Sequence, residues 1–359
     1  MATEDTEKSN MCKHISIALI FLLSLQVAAV EHPTITELLD RYAETQAKLN
    51  SFVIKYEDTG EADINSSLAQ GKVRPSKSGE IRFDSERVAL RTKRWGYITP
   101  DDFITQDEAM YISSLWDGES YFSYSRGGSD PLGRAIIYNE RHDSWNKTKI
   151  SRGYSGHELM GFFFGDDERI DLVLQQADEI SVREKLERVG EAQCYVVDAT
   201  ARGGKYTVWI DPEHGYNIAK AMVQKKEGGW FYGKRLPEGA NMISSLKNVR
   251  FEKINDVWVP IEADIERTQK IPKSKTLPKG FFEEGKLHHK RTEVVLNPDH
   301  DALGSFVPDD ILNGARVRVG NNTTIQYTWQ NGQVVGAKGR VIMDCRPKKK
   351  VKKIDRRER

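Results

Sequence analysis

Much of the chain alternates between apolar and polar residues, a period of two that is typical of β-strands with one buried face. In residues 257–267 (VWVPIEADIER), Val259, Ile261 and Ile265 fall on one face and acidic residues fall on the other. The same pattern recurs on both sides of Asp117–Gly118, a dipeptide that favours a tight hairpin turn. The alternation therefore predicts a curved antiparallel meander with one face in water.

Two other segments have the spacing of helices. Residues 35–49 repeat apolar side chains every three or four positions, and Thr34 and Glu37 have the spacing of a capping box. Residues 155–178 have a similar spacing but are interrupted by glycines. This second segment contains a dense apolar cluster formed by Leu159, Met160, Phe162, Phe163 and Phe164. Two interpretations of the cluster remain open, a plug of the core or a mobile lid over an apolar cavity.

Residues 15–30 form an apolar run that contains no charge. Lys13 precedes the run, and the small residues Ala28–Ala29 close it, which are the parts of a secretory signal peptide. The run is shorter than the roughly 20 residues that a membrane-spanning helix needs. We therefore expect residues 1–29 to be a signal peptide and the mature protein to be exported to the periplasm or cell envelope.

The net charge of +1 conceals a basic C-terminal end. Residues 346–359 contain nine Lys or Arg and two acidic residues, a balance of +7, so the rest of the chain carries −6. Such a block is usually a disordered, solvated tail. Contact of this tail with an anionic membrane surface is the alternative. Export and an acidic body argue against nucleic acid as a partner.

The residues that carry chemistry do not converge on a catalytic site. The pair His157–Glu158 lacks the second histidine of a zinc-binding helix, and the chain has no phosphate-binding loop or dinucleotide fingerprint. We interpret His288–His289 as a solvent-exposed pair. Cys194 and Cys345 are either a disulfide or two free thiols. We expect a protein that is not an enzyme and that uses no cofactor or metal.

A family resemblance connects these elements. A helix leads into Lys48–Phe52 and the first strand, and a later hairpin contains Trp209, Asp211, Pro212 and Gly215. In these motifs, over about residues 35–296, the chain resembles the outer-membrane lipoprotein carrier family (LolA/LolB-like). The resemblance implies an incompletely closed antiparallel barrel with helices in its mouth. It also implies an apolar cavity that holds acyl chains of lipids or lipoproteins.

The sequence thus predicts a mainly β (α+β) fold, a meander that forms an unclosed barrel with an N-terminal helix and a helical lid or plug. The expected parts are a signal peptide (1–29), a half-barrel domain (30–296), a linker with a small β-hairpin appendage (297–345) and the basic tail (346–359). The favoured function is an exported carrier or binder of an apolar ligand. The alternative is a non-catalytic structural or interaction protein of the envelope with a filled barrel. The residues expected to bind the ligand are Leu159, Met160, Phe162, Phe163, Phe164, Trp95, Trp116 and Trp209.

Overall fold

The computed structural model describes residues 33–66, 70–138, 154–163, 165–274, 277–320 and 325–346. In this part of the chain the protein is mainly β, as the sequence predicts. The predicted signal peptide, Phe164 and all of the basic tail except Arg346 lie outside the described residues. No helix of the described part combines the length and the apolar character that crossing a membrane requires.

The helical elements are α1 (Ile35–Ala47), α2 (Ile170–Gln175) and two 3₁₀ helices (His157–Met160 and Ala337–Gly339). The strands are β1 (Phe52–Asn65), β2 (Gln70–Phe83), β3 (Val88–Thr99), β4 (Asp102–Ile104), β5 (Met110–Trp116), β6 (Tyr121–Gly127), β7 (Asp130–Tyr138), β8 (Glu179–Val182), β9 (Glu187–Val189), β10 (Ala192–Ala201), β11 (Gly204–Asp211), β12 (Asn217–Lys226), β13 (Trp230–Phe231), β14 (Lys234–Arg235), β15 (Asn241–Ile254), β16 (Val257–Ile271), β17 (Phe281–Leu296), β18 (Arg316–Val319), β19 (Tyr327–Gln330), β20 (Gln333–Val335) and β21 (Val341–Asp344).

Nineteen of these strands form one sheet, with β1 near its middle. On one side of β1 the order is β2, β3, β5, β6 and β7, and on the other it is β17, β16, β15, β12, β11 and β10. Beyond β10 lie the short strands β8 and β9, and β13 and β14 form a separate hairpin. Among the described strands the two ends of the sheet do not pair with each other. The predicted unclosed, largely antiparallel fold is therefore confirmed.

Strand β16 shows how the alternating pattern places the core. Val259, Ala263 and Ile265 are each 1% exposed, as the period of two predicts. Ile261 shares their parity but is only half-buried. Phe251 and Arg250 are adjacent on β15, but they pair with Pro260 and Glu262 of β16. Ile261 is therefore the extra residue of a β-bulge. A bulge of this kind depends on the partner strand, and the alternation alone does not reveal it.

The helices pack on one half of the sheet. Leu38, Leu39 and Tyr42 of α1 are buried together with residues of α2 and of strands β10 to β12, β15 and β16. A second cluster joins residues of β1, β2, β3, β5, β6, β16 and β17 with Tyr154. The segment 154–163, with its short 3₁₀ helix, therefore contributes to both clusters. This position puts it beside the end of α1.

The C-terminal segment, predicted as a hairpin appendage, joins the same sheet. Strand β18 pairs in parallel with β7, and β19, β20 and β21 follow it in antiparallel pairs. Val317 and Trp329 are buried in a third cluster with Ile137 of β7. The parallel pair is a long-range crossover, and for that reason the local hairpin pattern does not predict it. Cys194 and Cys345 are both free thiols.

Candidate functional site: an apolar pocket at the end of α1

A partly open pocket of about 440 Å³ lies beside the C-terminal end of α1. Its volume falls within the roughly 300–1,000 Å³ that is usual for small-molecule sites. Most of its lining side chains are apolar, and they are Leu49, Phe52, Ile54, Phe83, Leu159, Met160, Phe162, Leu172, Val259, Val294 and Leu296. The polar lining residues are Gln46, Asn50, Ser85, Asp167, Glu168, Arg169 and Arg291.

Four neighbouring strands supply the floor of the pocket. Strands β1 and β17 pair with Phe52 opposite Leu296 and with Ile54 opposite Val294. The ring of Phe52 stacks on that of Phe83 at the end of β2, with 5.2 Å between centroids. Because β16 lies next to β17, Val259 completes this apolar surface. The end of α1, the 3₁₀ helix and the residues just before and within α2 form the remaining walls.

The predicted apolar cluster divides between the pocket and the core. Leu159, Met160 and Phe162 line the pocket. Phe163 is 2% exposed and packs in the core cluster that contains α1 and α2. Phe164 lies outside the described residues. The cluster therefore has two roles. Leu159, Met160 and Phe162 face the pocket, and Phe163 anchors the segment 154–163 in the core.

The three predicted tryptophans do not line this pocket. Trp116 is buried in the core cluster that borders it. Trp209 is buried in a separate cluster with Cys194, and its Nε1 donates to Glu187 at 2.9 Å. Trp95 is half-buried on β3. An aromatic residue on a strand predicts burial, but the sequence does not say on which face or in which cluster.

Arg169 and Glu168, two charged residues of the pocket lining, are each paired with a neighbouring side chain. Arg169 forms two hydrogen bonds of 2.6 Å to the carboxylate of Asp171. Glu168 forms an ion pair with Arg202 of the loop after β10. Each of these two pairs carries no net charge. An apolar interior with a paired polar rim suits a ligand that is mostly hydrocarbon.

A buried polar network lies behind one wall of the pocket. Asp58 Oδ1 is 2.6 Å from Nδ1 of His289, whose Nε2 is 2.7 Å from the hydroxyl of Tyr154. The same hydroxyl accepts a hydrogen bond of 3.1 Å from Nε of Arg291. The contacts assign the proton of a neutral imidazole to Nδ1, so the imidazole donates to Asp58 and accepts from Tyr154. The expected solvent-exposed pair is therefore wrong for His289, although His288 is exposed.

Burial controls the ionisation of this network. Burial lowers the pKa of His289, although the hydrogen bond from its imidazole to Asp58 opposes the shift. Burial also raises the pKa of Tyr154 to about 12. Both shifts keep the two groups neutral near neutral pH. The network therefore fixes the position of Arg291 without supplying a carboxylate that touches it.

An ion pair holds the 3₁₀ helix against the sheet. The carboxylate of Glu158, which is fully buried, accepts a hydrogen bond from Nη2 of Arg267 on β16. Burial acts to raise the pKa of Glu158, but the Arg267 guanidinium outweighs it and the pKa lies below its ordinary value. Since Leu159 and Met160 follow directly, this pair positions the apolar wall of the pocket.

Two glycines allow the same segment to pack closely. A Cβ atom at Gly156 would lie 2.3 Å from Nε2 of His289. Gly161 has a φ of +78°, and a Cβ atom there would lie 2.0 Å from the hydroxyl of Tyr42. The glycines thus permit close contact with β17 and α1, which favours a fixed wall over a mobile lid. Among the described residues no group of three His, Cys, Asp or Glu side chains is placed to hold a metal ion.

No protein-family model and no curated protein matches the chain. Among solved structures, it is similar to a DUF1329 family protein from Desulfovibrio piger, at 11% identity and a TM-score of 0.36, over 75% of this chain and 95% of the other. It is also similar to a domain from Vibrio parahaemolyticus described as an outer membrane lipoprotein-sorting protein domain. That likeness has 12% identity and a TM-score of 0.36 and covers 73% of this chain and 92% of the other. The function proposed below rests on the pocket.

Proposed function

We propose that the protein is an exported, non-catalytic carrier or binder of an apolar ligand, a lipid or the acyl chain of a lipoprotein. The observation that supports this proposal is the apolar pocket of about 440 Å³ at the end of α1. Protein interiors are close-packed, and an apolar void costs stability because its lining loses contacts. A pocket of this size that is lined by apolar side chains and partly open to solvent is therefore a ligand site.

The expected affinity follows from the apolar surface that a ligand would bury. Each buried methylene of an acyl chain contributes about 0.8 kcal/mol. Eight buried methylenes would give about 6 kcal/mol before the costs of ordering the chain and restricting its motion. Because 6 kcal/mol corresponds to a Kd of about 40 μM before those costs, micromolar binding requires more than eight buried methylenes, as a long-chain ligand provides. Transport needs such an affinity, because the ligand must also be released.

The test is uptake of a fluorescent fatty acid by the delipidated protein, with Phe162→Asp as the disruptive variant. Phe162 lines the pocket and is half-buried, so a carboxylate there opposes an acyl chain while the fold persists. We expect uptake to weaken at least tenfold. Phe163 is unsuitable for this test because it is buried in the core.

Phe103→Asp is the matched control. Phe103 lies on β4, is 55% exposed and does not line the pocket, so the same substitution should leave uptake unchanged. Far-UV circular dichroism of both variants checks that the sheet is intact. If the wild-type protein takes up no probe at micromolar concentrations, the carrier proposal fails. The alternative, a structural or interaction protein of the envelope, would then stand.

A further inference from the structure

Arg291 differs from the other polar residues that line the pocket. It lies on β17 and is 6% exposed, and most of the other side chains that line the pocket are apolar. A guanidinium stays charged in proteins, so this residue places a fixed positive charge in the wall of an apolar site. A hydrocarbon ligand alone has no group that would use such a charge.

The hydrogen bonds of Arg291 are incomplete. Its Nε donates to the Tyr154 hydroxyl at 3.1 Å, and its Nη1 donates to the carbonyl of Pro260 at 2.7 Å. Its Nη2 is buried and has no hydrogen-bond partner among the residues that the structure describes. A buried donor without an acceptor costs free energy, and more so when it carries charge. Two of the three guanidinium nitrogens thus donate to an acceptor, and the third, Nη2, does not.

The charge of Arg291 also lacks a direct counter-charge. No carboxylate of the described residues forms an ion pair with it, whereas Arg169, the other arginine of the lining, is paired with Asp171. Asp58 belongs to the same network but contacts His289. Buried charges in proteins are ordinarily paired. An anionic group of the ligand would supply the missing partner.

We propose that the pocket binds a single-chain amphiphile with a carboxylate, a fatty acid, with the carboxylate on Arg291 and the chain along the apolar lining. This inference rests on the proposed function and names the ligand class of the same site. A carboxylate fits better than a phosphate, because the unpartnered Nη2 has two N–H donors, one for each oxygen of a carboxylate. The additional charge and oxygens of a phosphate would remain unpaired in an apolar wall. A volume of about 440 Å³, near the lower end of the usual range, also suits one chain.

The experiment compares three ligands of equal chain length by calorimetric titration of the delipidated wild-type protein. The ligands are dodecanoate, 1-dodecanol and dodecyl phosphate. We expect dodecanoate to bind about tenfold to hundredfold more tightly than dodecanol, the difference that a charge-assisted hydrogen bond provides. We expect dodecyl phosphate to bind no more tightly than dodecanoate.

Variants then locate the selective contact. Arg291→Gln should bring the affinity for dodecanoate down to that for dodecanol, while the affinity for dodecanol changes less than about threefold. Arg291→Lys keeps the charge and should retain part of the preference for the acid. Arg250→Gln, at an exposed residue of β15, is the control and should retain the full preference.

The outcomes separate this inference from the proposed function. If dodecanoate and dodecanol bind equally well to the wild type, the carboxylate site is refuted and the carrier proposal stands. A dodecyl phosphate that binds more tightly than dodecanoate refutes the choice of carboxylate. If none of the three binds, both proposals fail. If Arg291→Gln does not fold, the affinities of the wild-type protein for the three ligands still decide whether the pocket selects a carboxylate.

Discussion

Replacing Asp166 with asparagine should destabilise the protein by about 3–5 kcal/mol, because it removes one partner of a buried ion pair. Nζ of Lys225 lies 2.5 Å from Oδ1 of Asp166, and the two side chains are 1% and 2% exposed. The hydroxyl of Tyr206 donates to the same carboxylate, and Nζ also donates to the carbonyl of Trp230. Asp166 stands directly before the pocket residues 167–169, so the pair also ties this wall to β12.

The pKa shifts of the pair set the sign of the pH dependence. Burial raises the pKa of Asp166 and lowers the pKa of Lys225, because it disfavours each charge. Without the carboxylate, Lys225 loses its counter-charge and its pKa should fall further. The unfolded chain then binds more protons than the folded one between the lowered folded pKa of Lys225 and 10.5, the ordinary pKa of lysine. The deficit of Asp166→Asn relative to wild type should therefore grow as the pH falls.

Urea unfolding followed by tryptophan fluorescence measures this loss. The matched control is Glu266→Gln, which breaks the ion pair between Glu266 and Lys247. In this pair the side chain of Lys247 is 42% exposed and that of Glu266 is 36% exposed. An exposed pair contributes at most about 1 kcal/mol, so the control should be nearly neutral. If Asp166→Asn costs no more than Glu266→Gln, the buried pair does not hold this part of the fold and the reasoning is refuted.

Four further predictions concern the network and the two ends of the chain. Burial lowers the pKa of His289, so its contribution to stability is present above pH 6.5 and is lost as the pH falls from there towards its folded pKa. His289→Gln should flatten that decline in urea unfolding, and an unchanged slope would contradict the assignment. Tyr154→Phe should lower the free energy of unfolding by about 1–3 kcal/mol in the same assay, and a decrease well below this range would show that the Tyr154 hydroxyl is dispensable. Deleting residues 347–359 should leave pelleting with anionic vesicles unchanged, whereas salt-sensitive pelleting that the deletion abolishes would favour membrane contact. N-terminal sequencing of protein from the native host should find a mature chain that begins near Val30, and a chain that retains residues 15–29 would refute the signal peptide.

The strands and α1 were predictable because their patterns are local. The alternation around Val259 and Ile265 and the helical spacing of Leu38, Leu39 and Tyr42 each lie within one segment. Burial of one face follows from such a period whatever the rest of the chain does. The same reasoning predicts an apolar cluster at residues 159–164. It does not predict that Phe162 faces a pocket while Phe163 faces the core.

The polar part of the site was not predictable, because it depends on contacts between distant segments. Arg291 and His289 alternate with charged residues on β17 and look like an exposed face. They are buried because β17 pairs with β1 and because Tyr154, well over a hundred residues earlier, packs on them. The inward position of Asp58, two residues after the buried Tyr56, was the one signal in the sequence that could have indicated a polar network.

The most direct test of the account is whether an acyl chain lies against Met160 in solution. The protein with ¹³C-labelled methionine methyl groups is titrated with a stearic acid that carries a nitroxide near its methyl end. Met160 lines the pocket, whereas Met110 and Met222 are 37% and 45% exposed and lie elsewhere on the sheet. We expect the methyl signal of Met160 to broaden at one equivalent of ligand while those of Met110 and Met222 stay sharp. Equal broadening of all three signals, or none at saturating ligand, would contradict it.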